Sequence, residues 1–191
     1  TLTDAVGMFA FAAWDTRERK LFLARDRMGE KPLYYGRLGR TILFGSELKA
    51  LAAHPDWRGE IDHDVLALYV RYGYVPAPYS IYRDVRKLTQ GTFLEIDPAR
   101  LPAGDHELSP PVAYWSVDEA VNRGREHPFT GTDDEAISEF DALLRETISK
   151  QMIADVPVGA FLSGGIDSSL TVALMQSIHS RPVRTFCIGF H

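Results

Sequence analysis

Apolar positions along the chain follow two regimes. Up to about residue 97 they form short runs separated by polar turns, and from residue 132 they recur at helical spacing or gather in brief continuous runs. In the first regime, apolar runs at 8–14 and 21–24 flank the polar stretch 15–20, which predicts a hairpin. Further strands are expected at 33–36, after the turn at 28–32, and at 41–44, after Gly39-Arg40. Four short strands at this spacing predict one antiparallel sheet. Ser46 is expected to cap a short helix running through Ala53, with Leu48, Leu51 and Ala52 on one face. Asp62 or Asp64 starts a second helix over 65–72, and Gly73 ends it.

In the second regime, Thr132-Asp133-Asp134-Glu135 has the pattern of a capping box. It opens a helix in which Ile137, Phe140, Leu144 and Ile148 share a face. The run 158–162 is continuous, apolar and short, as expected of a buried parallel strand. Leu170, Ala173, Leu174 and Ile178 then recur at helical spacing, Arg181-Pro182 breaks the helix, and 183–190 reads as the next strand. The prediction is a strand, glycine turn, helix and strand, with the turn at the carboxyl end of the first strand. Two parallel strands cannot cover both faces of such a sheet, so the chain is expected to be an internal piece of a longer protein. Between the regimes, 98–131 is rich in Pro, Gly, Asp and Glu and reads as a linker, ordered in part by Tyr114-Trp115. There is no internal repeat.

Composition adds mainly exclusions. The chain has 191 residues, 45% apolar and 25% charged, with room for a core in one domain or two small ones. A net charge of −5 with no basic run argues against a nucleic-acid binder, and no apolar stretch reaches the length of a membrane span. The single cysteine, Cys187, precludes an internal disulfide and fits a reducing, cytoplasmic setting; its place in an expected strand predicts a buried core thiol. The six histidines show no metal-ligand spacing.

Candidate chemistry concentrates in Ser163-Gly164-Gly165-Ile166-Asp167-Ser168-Ser169. The first turn of a helix presents free backbone N–H groups and roughly half a positive charge, which suits an anion. Gly164 and Gly165 leave the backbone free to approach a phosphate, and Ser163, Ser168 and Ser169 add hydroxyl donors. The loop contains no lysine, unlike the ordinary phosphate loop. Asp167 would repel pyrophosphate unless its carboxylate held a Mg²⁺ that bridged to the phosphates, so Asp167 is read as a metal ligand. The plain alternative is a Gly-Gly turn whose Asp167 and Ser168 merely cap a helix. Arg25-Asp26 and Ser46-Glu47 look like acid/base pairs. Adjacent strand residues face opposite sides, however, so structural roles are expected, as ion pair and helix cap.

The loop string resembles the pyrophosphate loop of the ATP pyrophosphatases. The longer string from Ala154-Asp155-Val156-Pro157 through Ser168-Ser169 resembles the synthetase domain of the glutamine-hydrolysing asparagine synthetases. Earlier strings resemble the later part of the glutaminase domain of the same family: Gly7-Met8-Phe9-Ala10-Phe11, Ala24-Arg25-Asp26-Arg27-Met28-Gly29, Lys31-Pro32-Leu33-Tyr34-Tyr35 and Phe44-Gly45-Ser46-Glu47-Leu48-Lys49-Ala50-Leu51. The stretches 69–82 and 88–94 resemble the segment that closes that domain.

The resemblance implies a mixed fold, α/β with α+β. A partial N-terminal-nucleophile-type glutaminase sandwich, two stacked sheets between helices, is expected over 1–97. A linker follows over 98–131, and the first β-α-β of a parallel-sheet ATP-pyrophosphatase domain over 132–191. It implies a ligase that amidates aspartate to asparagine through a β-aspartyl-AMP, consuming ATP and glutamine and releasing AMP and pyrophosphate. Leu162, Ser163, Gly164, Gly165, Asp167, Ser168, Ser169 and Ile188 are the expected ATP and pyrophosphate site, with Asp167 the Mg²⁺ ligand and Leu162 and Ile188 beside adenosine. The glutaminase nucleophile is expected upstream, so no catalytic residue is assigned here, Thr1 is set aside as a nucleophile because it aligns mid-domain, and the fragment alone is expected to be inactive. The intact enzyme is expected to be cytoplasmic, with a homodimer as its candidate assembly, small-molecule substrates and no nucleic-acid or membrane partner. Two alternatives stay open: a related amidotransferase acting on a sugar, peptide or β-lactam-precursor carboxylate, and a non-catalytic nucleotide-binding relative.

Overall fold

The structure, a computed structural model, describes residues 1–101 and 108–189. The chain divides into two compact units, Thr1–Arg123 and Gly124–His191.

In the first unit, β1 (Ala10–Asp15) and β2 (Lys20–Arg25) form the expected antiparallel hairpin, with Ala10 opposite Arg25 and Asp15 opposite Lys20. Asp15 builds the turn by accepting from the N–H groups of Arg17 (2.8 Å) and Glu18 (2.9 Å). The next two strands, β3 (Tyr34–Leu38) and β4 (Thr41–Gly45), pair with each other but not with the hairpin. The single sheet expected from spacing is therefore two. One has the order β1-β2-β6-β7, with β6 at Thr92–Ile96 and β7 at Val112–Ala113, and the other the order β4-β3-β5, with β5 at Val85–Lys87. The free edge of β2 is taken by β6, from much later in the chain, so β3 finds its partners elsewhere. Side chains from both sheets meet in one core of Leu23, Leu33, Tyr35, Leu88, Leu94 and Ile96, with Leu23 and Leu88 fully buried.

Two helices flank these strands. α1 (Leu48–Ala52) buries Leu51, but its cap is Glu47 rather than Ser46 and makes no capping hydrogen bond; Glu47 pairs instead with Lys49 at 2.6 Å. α2 (His63–Tyr72) starts and stops as expected. The Asp62 carboxylate accepts from the N–H groups of Asp64 and Val65, and Gly73 closes the helix at φ +75°, a conformation that favours glycine. The stretch read as a linker carries more regular structure than its composition suggests: a 3-10 turn at Pro98–Arg100, strand β7, and helix α3 (Val117–Glu126). Its anchor is Gly91, whose carbonyl accepts from the N–H groups of Tyr114 (2.9 Å) and Trp115 (3.2 Å).

In the second unit, α4 (Asp133–Gln151) opens with the expected capping box. Glu135 N–H donates to the Thr132 hydroxyl at 3.4 Å, and Thr132 N–H donates to the Glu135 carboxylate at 2.7 Å. β8 (Gly159–Phe161), α5 (Ile166–Ile178) and β9 (Arg184–Phe186) follow, with β8 and β9 parallel and Phe161 opposite Phe186. α5 starts earlier than the apolar spacing from Leu170 indicates, because Gly165 serves as its cap.

The core of this unit is Ile148, Leu174 and Met175, with Leu144, Met152, Ala160 and Val183 packed against it. It engages only the later half of α4, so Ile137 and Phe140, expected on the buried face, are 67% and 59% exposed. The expected burial of the first strand also fails. Ala160 points into the core, but Phe161 is 75% exposed, because the opposite face of the two-stranded sheet has no layer over it among the described residues. Cys187 lies just past β9 and is exposed rather than buried. The end of the expected strand, at 190, lies outside the described residues. Among the described residues no helix is long and apolar enough to cross a membrane.

Candidate functional site

β8 aims the chain at the candidate loop. The Leu162 N–H donates to the Phe186 carbonyl at 2.8 Å, so the ladder to β9 continues one residue past the strand before the chain turns. Gly159 lets this pair lie close: a Cβ there would sit 2.7 Å from the Phe186 ring and 3.1 Å from the Arg184 carbonyl. At the far end of α5, Gln176 secures the return to β9. Its Oε1 accepts from Val183 N–H at 3.0 Å, and its Nε2 donates to the carbonyls of His179 (3.2 Å) and Arg181 (3.4 Å). No periodicity rule points to Gln176; only its position in a tight helix-to-strand return could have done so.

Between Leu162 and α5 the two glycines differ. Gly164 holds φ +84°, in the left-handed region, and a Cβ there would meet nothing within 4 Å, so its glycine serves backbone conformation rather than room. Gly165 has an ordinary φ of −76° and is the helix cap, so the dihedral argument applies to Gly164 alone. Polar groups of three residues close a ring around this turn. Gly165 N–H approaches Ser163 Oγ at 3.5 Å, Ser163 Oγ lies 3.0 Å from Ser168 Oγ, and Ser168 Oγ donates to the Gly165 carbonyl at 3.1 Å. With the Ser168 proton on Gly165, Ser163 donates to Ser168, which leaves Ser163 Oγ as the acceptor for Gly165 N–H.

No side chain caps α5. Its first-turn N–H groups and the positive end of its dipole are therefore left to whatever binds there. Asp167 stands in that first turn, exposed, and the Thr171 hydroxyl donates to its carbonyl at 2.9 Å. Ser169 N–H donates to the Gly165 carbonyl at 3.1 Å, the first bond of the helix proper. Leu162 is half-buried, and Ile188 is 72% exposed just beyond β9; both lie at the carboxyl end of the parallel pair, as does the loop. The structure thus gathers Leu162, Ser163, Gly164, Gly165, Asp167, Ser168, Ser169 and Ile188 at one end of one strand pair.

This arrangement fits a polyphosphate. It offers an uncapped helix terminus, a left-handed glycine with open space above it, and hydroxyls whose protons can turn outward. It also fits Mg²⁺. Among the described residues no group of three or more His, Cys, Asp or Glu side chains could hold a metal ion, and Asp167 offers a lone carboxylate. One carboxylate completed by phosphate oxygens and water is the usual Mg²⁺ environment in nucleotide sites.

Of the two acid/base pairs considered in the first unit, Arg25 and Asp26 are both held by backbone groups. Asp26 is 1% exposed, and its carboxylate accepts from four backbone N–H groups: Met28 (3.1 Å), Glu30 (2.9 Å), Lys31 (3.0 Å) and Phe9 (3.3 Å). Burial works against the charge, but the surrounding N–H donors outweigh it and hold the carboxyl below its ordinary value. Arg25 does not form the expected ion pair with Asp26. Its guanidinium donates instead to the carbonyls of Lys31 (2.8 Å), Leu88 (2.7 Å) and Gly29 (2.5 Å). Asp26 gathers N–H groups of the loop between β2 and β3 together with that of Phe9, and Arg25 gathers carbonyls of the same loop together with that of Leu88. Thr1 hydrogen-bonds Asp4 at the start of a short 3-10 turn.

Comparison with known proteins follows the same division. The family described as glutamine amidotransferase domain matches residues 1–106, and that described as asparagine synthase matches residues 139–191. A putative glutamine-hydrolysing asparagine synthetase of Mycobacterium bovis is 40% identical over 188 residues, covering 96% of this chain and 27% of its own length. Asparagine synthetase 3 of Bacillus subtilis is 33% identical over 189 residues (96% and 28%). A putative asparagine synthetase of Methanocaldococcus jannaschii is 34% identical over 189 residues (96% and 34%). The chain thus spans between about a quarter and a third of the length of these relatives. It belongs to the glutamine amidotransferase domain family, followed in the same chain by a stretch that matches asparagine synthase.

Proposed function

We propose that this chain works in a cytoplasmic, glutamine-hydrolysing asparagine synthetase, contributing the later part of the glutaminase domain over 1–97, a linker over 98–131 and the start of an ATP-pyrophosphatase domain over 132–191. In this reading the first unit is part of an N-terminal-nucleophile sandwich, supported by its two antiparallel sheets around one core. The observation that carries the reading is the uncapped start of α5, reached from a parallel strand through the left-handed Gly164 and ringed by the Ser163 and Ser168 hydroxyls.

A side-chain carboxylate oxygen of aspartate attacks the α-phosphorus of ATP, and the bond to the β-phosphate oxygen breaks. Ammonia from glutamine then attacks the acyl carbon, its surplus proton is lost to solvent or a base, and AMP departs with the bonding electrons. The developing charge on the departing pyrophosphate falls where the N–H groups of the α5 first turn and the hydroxyls of Ser163, Ser168 and Ser169 can donate to it. Leu162 and Ile188 flank the adenosine. Asp167 is the residue that would hold Mg²⁺, which supplies charge neutralisation for the phosphates. A donor set without lysine makes that help necessary, since one helix dipole offsets only about half a charge.

The test uses the intact protein with ATP, glutamine and a panel of carboxylate acceptors: aspartate, a sugar acid, a peptide and a β-lactam precursor. Pyrophosphate release and amide formation with aspartate are expected. Release with another acceptor alone would move the assignment to a related amide ligase, and nucleotide binding without release from any acceptor would make the chain part of a regulatory relative.

A further inference from the structure

We draw no further inference here: the strongest candidate, the cavity of about 500 Å³ beside β3 that is lined by Arg37, Arg83, Asp84 and Arg86, carries nothing because each of its arginines already has a partner within the chain and no feature of the site shows an outside anion competing for them.

Discussion

Replacing Asp26 with asparagine keeps the side-chain shape and removes the charge. The carboxylate accepts two N–H groups on each oxygen, those of Met28 and Glu30 on one and those of Phe9 and Lys31 on the other. An amide can serve only one of these pairs and must turn an NH₂ group toward the other. Two charge-assisted bonds are lost at roughly 1.5–3 kcal/mol each, partly offset because a neutral amide is cheaper to bury, so the expected destabilisation is about 3–4 kcal/mol. Trp14, Trp57 and Trp115 all lie in the first unit, so tryptophan fluorescence during urea unfolding reports on the part that holds Asp26. With a urea slope of about 2 kcal/mol/M, the midpoint should fall by about 1.5–2 M.

The pH dependence supplies a second check. The folded-state pKa of Asp26 is depressed, so the stability it contributes is present above the unfolded value, ordinarily 3.8, and is lost as pH falls through the lower folded value. The gap between wild type and Asp26→Asn should therefore hold through neutral pH and narrow only below 3.8. A midpoint shift below about 0.25 M, which is about 0.5 kcal/mol at the same slope, or a gap that closes near neutrality, would refute the reasoning.

Other outcomes follow from single residues. Gly91→Ala should destabilise the first unit by about 2–4 kcal/mol in the same unfolding assay. Gly91 holds φ +64°, and a Cβ there would sit 2.3 Å from the Trp115 carbonyl oxygen. Thr132→Ala should loosen the start of α4 by about 1 kcal/mol, read as faster amide exchange in its first turn with little change near Ile148.

The parts of the fold that were readable before the structure are those set by local rules. The β1–β2 hairpin, the Asp62 and Gly73 ends of α2, the Thr132 capping box and the strand-turn-helix-strand around Ser163–Ser169 each depend on a few neighbouring residues. Strand partnering does not. That β2 joins β6 rather than β3 depends on contacts made far along the chain, so four regularly spaced strands could be read as one sheet when they belong to two. Periodicity shows which residues share a face but not whether another layer covers that face, which is why Ile137, Phe140 and Phe161 were expected inside and lie outside. Arg25 and Asp26 stood out as charged residues, but their partners are backbone groups, and no side-chain pattern reveals those. At the candidate site seven of the eight residues fall within the single stretch 162–169, so the sequence alone groups them; the different backbone roles of Gly164 and Gly165 are hidden there, since both are the same letter.

The turn between β8 and α5 is proposed to grip pyrophosphate with the help of a metal on Asp167. The most direct measurement is pyrophosphate release by the intact protein carrying Asp167→Ala, supplied with aspartate, ATP and Mg²⁺, alongside glutamate release from glutamine in the same preparation. Pyrophosphate release should drop about a hundredfold or more while glutamine hydrolysis continues. Pyrophosphate release at the wild-type rate would contradict the claim.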